Sequence, residues 1–179
     1  MTEPEAVVER IEIEPQRPAV GMAEGVLHEI RSHALEAVPE ECCGLVFGTG
    51  IGLEGGGAGR FGPVYRCHNV MDRMHQEDSK AFPRTNRDGF YIDPRELLSA
   101  AAEAEAAGLE VTVVYHSHVG AAAYFSEMDR RFATQPGFPF PRADHLVVSV
   151  LGRQVHELGL FRPSPEGELT GHRVESLPS

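Results

Sequence analysis

The chain has 179 residues, 41% of them hydrophobic, and its 27 acidic against 16 basic side chains leave a formal net charge of −11 at pH 7. That length predicts one domain with a self-sufficient core, and so acidic a chain is excluded as a binder of phosphate backbones or of an anionic membrane surface. Three cysteines (Cys42, Cys43 and Cys67), odd in number and two of them adjacent, make neither a disulfide framework nor a CxxC pair for a structural zinc.

Residues 1–20 form a polar extension expected to be partly disordered, although Ile11 and Ile13 alternate with glutamates, a pattern compatible with an added edge strand. Its acidic start, MTEPEAVVERIEIEP, lacks the basic residues and apolar stretch of a secretory signal. No window approaches the run of about 18 apolar residues that a membrane span needs. The expectation is a soluble, cytoplasmic protein with neither nucleic acid nor membrane as a partner, and a homodimer is compatible with the sequence.

Residues 21–175 read as a single domain. Val26, Leu27, Ile30, Leu35 and Val38 mark a helix over 22–38 that Pro39 closes. Cys43–Phe47 (CGLVF) suits a short buried strand. The stretch 48–62, GTGIGLEGGGAGRFG, is a glycine-rich hairpin tip or loop; with no GK[ST] and no helix pattern after it, a phosphate cradle is not expected. A strand over 63–71 leads into a polar loop. Asp93-Pro94-Arg95-Glu96 then combines a cap, a proline at the first helical position and an acid two residues on, predicting a helix to Ala107 with Gly108 as its stop. Val111–Tyr115 (VTVVY) is strand-like, and a shorter helix begins at Ser126. Strands follow over 145–151 and 155–161, and a last segment, 168–174, is expected to pair at an edge. Strands interleaved with helices predict an α/β domain with a central mixed sheet flanked by helices.

The chemistry concentrates in Tyr115–Asp129. His116 and His118 follow an apolar strand, and residues two apart on an extended chain project from the same face. Asp129 falls in the first turn of the next helix. Two imidazoles and a carboxylate form a three-ligand zinc shell whose fourth position stays open, as in catalytic rather than structural sites. Each piece alone has an ordinary explanation: nine histidines make one HxH common, and Ser126-Glu127-Met128-Asp129 is a good capping arrangement without any metal. Their conjunction is far more demanding.

That conjunction, His116-x-His118-x7-Ser126-x2-Asp129, resembles the signature of the JAMM (MPN-plus) zinc metallopeptidases, and the likeness extends over roughly residues 22–165. Pro39–Gly48 is similar to the family's upstream segment, and the register points to Glu41, with Glu40 as the fallback. Phe90-Tyr91-Ile92-Asp93-Pro94 is similar to the stretch entering the family's second helix. The resemblance implies a cytidine-deaminase-like α/β fold and one zinc per chain on His116, His118 and Asp129. It further implies that Glu41 is the general base and proton carrier and that Ser126 stabilises the oxyanion. Small bacterial-type relatives imply a ubiquitin-like sulfur-carrier protein with a diglycine tail as the substrate. Val119 and Phe125 stand where many members carry proline, which bears on the substrate groove and not on the ligands.

Two other functions compete. One is a non-catalytic MPN-type scaffold, against which the complete ligand set argues. The other is a zinc hydrolase acting on a small-molecule amide; the His/Cys/Cys shell and the H-x-E and P-C-x-x-C segments of nucleobase deaminases are missing. His145, His156 and His172 are expected to be structural or solvated, and Cys42 and Cys43 to be small core residues. Cys67 and His68 are neighbours on a strand and so point to opposite faces, which excludes a catalytic pair.

Overall fold

The computed structural model describes residues 9–51 and 59–178. In chain order the elements are β1 (Val20–Ala23), α1 (Glu24–Ala37), β2 (Cys43–Gly48), β3 (Val64–Cys67), α2 (Met71–Glu77), α3 (Pro94–Ala106), β4 (Glu110–Val119), α4 (Glu127–Thr134), β5 (Asp144–Leu151), β6 (Gln154–Pro163) and β7 (Leu169–Leu177). The strands form one seven-stranded sheet in the order β1-β7-β6-β5-β4-β2-β3. β4 with β5 and β1 with β7 are parallel, and the other neighbours are antiparallel. This is the mixed α/β architecture that the sequence predicts.

Both faces of the sheet are covered, so β2, β4 and β5 read as continuous apolar runs rather than alternating ones. On one face, Leu27, Ile30 and Ala34 of α1 pack with Val46, Val113, Tyr115 and Leu146. On the other, Leu97, Ala100 and Ala104 of α3 meet Leu45, Phe47 and Val114. Asp93 caps α3 by accepting from Arg95 N, with Pro94 at the first position, and Gly108 follows the helix end at φ +74°. Gly44 is a packing requirement: a Cβ there would sit 2.4 Å from the Tyr115 ring, whose hydroxyl is 2.7 Å from His33 Nδ1.

Five local readings change. Residues 20–23 form an edge strand before α1, because their backbone pairs in parallel with β7, a long-range partner that no local pattern reveals. β7 consequently lies inside the sheet, not at its edge. The segment after β3 holds the short helix α2, whose start Asn69 and Asn86 secure through side-chain bonds to the amides of Met71 and Asp72. β4 runs on through His116 and His118 because β5 pairs with both. Ile11 and Ile13 make single bridges, to Phe125 and Gly171, rather than a strand. The glycine-rich tip at 52–58 lies outside the described residues. None of the helices described is long and apolar enough to cross a membrane.

Asp144, fully buried at the start of β5, accepts from Arg60 Nε at 2.9 Å and from Arg162 Nε and a terminal guanidinium nitrogen at 3.0 and 2.9 Å. Removing the carboxylate leaves the buried Arg60 charge uncompensated, so Asp144→Ala is expected to cost about 3–5 kcal/mol in denaturant unfolding. A second expectation concerns acid. Burial, aided by the nearby His116, lowers the pKa of His145 to about 4 from an ordinary 6.5. Its contribution to stability is complete above pH 6.5 and is lost as the pH falls toward 4, about 3 kcal/mol in all. Thermal unfolding of His145→Gln should show a correspondingly shallower decline across that window.

Candidate metal centre

The pleat of β4 decides where the two histidines point. Val113 and Tyr115 face α1, Val114 faces α3, and His116 and His118 therefore open on the α3 side. There His116 stacks on Phe90, ring centroids 4.3 Å apart, and is almost wholly buried. The loop after β4 returns to Ser126, which caps α4. Ser126 Oγ accepts from Asp129 N at 3.1 Å, and Asp129 Oδ2 accepts from Ser126 N at 2.9 Å. This reciprocal box fixes the Asp129 carboxylate over the histidines.

Three ligand groups converge. His116 Nε2 is 3.2 Å from His118 Nε2 and 3.2 Å from Asp129 Oδ1, and His118 Nε2 is 3.4 Å from Asp129 Oδ2. Ligands about 2.0–2.1 Å from a tetrahedral zinc stand roughly 3.3–3.4 Å from one another, which the cluster matches. The donor set supports the same conclusion. His118 Nδ1 lies 2.8 Å from the Ala122 carbonyl, to which it donates, so Nε2 presents a lone pair to a carboxylate that offers only lone pairs. A cation placed among these atoms, whether a proton or a metal ion, satisfies both sets of lone pairs. Burial opposes charge on His118, but Asp129, Glu41 and the Ala122 carbonyl outweigh it and raise its pKa. Burial likewise opposes charge on Asp129, yet the two imidazoles hold it far below the usual carboxylate range.

Glu41 lies in the turn between α1 and β2. Cys43 pairs with His116, and Ser117 N donates to the Cys42 carbonyl at 3.1 Å, so continuing the register sets Glu41 opposite His118. Its side chain is 7% exposed and lines a cavity of about 250 Å³ together with His118, Ser126 and Asp129; Glu40 is exposed to solvent. Burial, reinforced by the Asp129 charge and opposed by His118, raises the Glu41 pKa to about 8. Two asparagines clamp its backbone. Glu41 N donates to the Asn86 carbonyl at 2.7 Å, Asn69 Nδ2 donates to the Glu41 carbonyl at 3.0 Å, and Asn86 Nδ2 donates to the Asn69 carbonyl at 3.1 Å. Sequence reasoning missed this clamp; the turn-forming tendency of asparagine is its one local signal.

The family of prokaryotic homologs of the JAB domain matches residues 23–162. The chain belongs to this family. Among solved structures, the Prok-JAB chain is similar to a protein of Desulfitobacterium hafniense at 22% identity and a TM-score of 0.60, with 89% of this chain and 93% of that one covered. A protein of Salinibacter ruber aligns at 27% identity and a TM-score of 0.55, covering 89% and 90%. A JAB1/MPN domain protein of Archaeoglobus fulgidus aligns at 16% identity and a TM-score of 0.45, covering 88% and 98%. No curated protein matches the chain.

The remaining candidates of this Prok-JAB domain lie elsewhere or are chemically silent. Cys42 and Cys43 are buried, and burial pushes Cys42 up to about 11 and Cys43 well above the usual thiol range, so neither is a thiolate at neutral pH. Cys67 is buried while His68 faces solvent beside Glu96. His145 packs between Phe125 and Phe138, His156 is exposed, and His172 pairs with Thr170.

A carboxyl group held neutral by burial costs stability wherever the unfolded chain ionises it. The raised Glu41 pKa makes that cost grow as pH rises from 4.5 to about 8. In the metal-free protein at pH 7, Glu41→Gln should therefore raise the unfolding free energy by about 3 kcal/mol at most, and by nothing at pH 4, when followed by chemical denaturation.

Proposed function

We propose that this Prok-JAB domain is a zinc peptidase that hydrolyses an amide bond at the C-terminal tail of a ubiquitin-like, sulfur-carrier protein ending in diglycine. The observation that carries the reading is the convergence of three lone-pair ligands within 3.2–3.4 Å on a cavity wall that also holds a buried glutamate. His116, His118 and Asp129 would hold one zinc, which when bound supplies Lewis acidity that acidifies water and polarises the scissile carbonyl. Glu41 accepts a proton from the attacking water and returns it to the leaving amine. Its proton affinity, raised by burial, suits exchange near neutral pH. Ser126 Oγ already accepts from the Asp129 amide, and its hydroxyl keeps a proton to donate to the carbonyl oxygen as charge develops there.

The tail assignment draws on the edge of β4. β2 pairs with β4 only as far as Cys43 opposite His116, with one further bond at Ser117. Past Glu41, which stands opposite His118, no further partner on the β2 side of the strand is found among the described residues, and Val119 lines the cavity. An extended tail without side chains can add there by backbone bonding and bring its carbonyl beside the ligands.

Elemental analysis is expected to find about one zinc per chain in the native protein, lost in His118→Ala. A ubiquitin-like protein carrying a short extension after its diglycine should be trimmed, and a chelator should stop the reaction. Glu41→Gln should keep zinc and lose turnover; Ser126→Ala should lower kcat by about 10²–10³-fold. Full activity of Glu41→Gln overturns the mechanism. A protein that takes up no zinc when folded in its presence is the scaffold, and trimming of small amides alone points to the small-molecule hydrolase.

A further inference from the structure

We propose that residues 9–14 are a strap that positions the metal centre by holding the loop between its two ligand-bearing elements. The idea rests on the metal reading above for its zinc measurement, and on geometry for the rest. Ten residues join His118 to Asp129, and they must bring the carboxylate back over the imidazoles. The first part of that loop is tied to the sheet: Gly120 N donates to the Val150 carbonyl, Ser149 Oγ to the Ala121 carbonyl and Ala123 N to Glu157. The last part, just ahead of the Ser126 cap, is tied to the extension. Ile11 N donates to the Phe125 carbonyl and Phe125 N to the Ile11 carbonyl, both at 2.9 Å.

The side chains repeat the pattern. Ile11 and Ile13 pack on Ala123, Phe125, Val147 and Phe161, a separate apolar cluster under the loop. The Arg10 guanidinium lies 4.4 Å above the Tyr124 ring, and that ring is 5.0 Å from His118. The sheet is shaped to receive the strap. Glu14 N donates to the Gly171 carbonyl, and a Cβ at Gly171 would come within 2.1 Å of the Glu12 carbonyl oxygen. Gly159 would crowd both Ile13 and the Ala123 carbonyl at 3.0 Å. Glycine at 171 is what leaves room for the strap's backbone, and Gly159 adds a close fit beside it. Residues 9–14 touch no ligand, yet they supply both backbone bonds of the residue preceding the cap that orients Asp129.

The test uses the full chain with Gly171→Val, which displaces the strap, and Ile11→Pro, which removes the N–H bonded to Phe125. Leu169→Ala serves as a control, since Leu169 packs on the same cluster without bonding the loop. Zinc affinity, measured by competition with a chromophoric chelator, is expected to fall about 10–100-fold in the two strap variants and to stay within about twofold in the control. Amide exchange of the metal-free proteins should quicken about tenfold or more over 124–129 in the strap variants, with β4 and β5 unchanged. Unaltered exchange over 124–129 overturns the proposal, as does an equal loss of zinc affinity in Leu169→Ala. A native chain that binds no zinc would defeat the metal reading alone, because the exchange comparison still decides the strap.

Discussion

Everything in the site depends on the pleat of β4. The strand sits between β2 and β5, so its register is fixed from both sides, and a slip by one residue would turn His116 and His118 into the α1 layer. The cost of such a slip is large because Val113 and Tyr115, wholly buried on the α1 face, would be turned away from it as the histidines turned in. The hydrophobic effect thus fixes the direction of two polar groups that it does not itself favour burying. Two further constraints act through that strand: β2 brings Glu41 opposite His118, and the loop after β4 brings Asp129 back over both imidazoles.

A site made of lone pairs is an unstable thing to bury. His118 has one nitrogen committed to Ala122, and its other nitrogen looks at an anion. Burial raises the proton affinity of Glu41 beside them. The surrounding shell stabilises this arrangement by geometry: the capping box on Asp129, Phe90 against His116 and the asparagine clamp behind Glu41 each remove a way for the cluster to relax. Such rigidity suits a cation of fixed coordination and defeats a merely collapsed polar core.

Much of this was legible in the sequence because the informative signals are local. The spacing of His116, His118, Ser126 and Asp129 encodes a strand end and a helix cap, and both are built from neighbouring residues. Asp93-Pro94 announced α3 for the same reason. What stayed hidden was long-range. β1 exists only through its pairing with β7, and Val20–Ala23 carries no strand pattern of its own. Asn69 and Asn86 stand 17 residues apart and meet behind a third segment, so nothing near either one marks it as a support for Glu41. The register of the family resemblance favours Glu41 over the chemically identical Glu40, and the fold sets Glu41 on the cavity wall and Glu40 in solvent.

The placement of the aromatic rings has an optical consequence. The chain has no tryptophan and only four tyrosines, so its near-ultraviolet emission comes from Tyr65, Tyr91, Tyr115 and Tyr124. Two of these, Tyr91 and Tyr124, line the cavity, and Tyr124 lies close to both His118 and the Arg10 cation. A change of charge at His118, or the departure of Arg10, alters the quenching of that one phenol. The protein therefore carries an intrinsic fluorophore beside its candidate metal ligands, readable without a label.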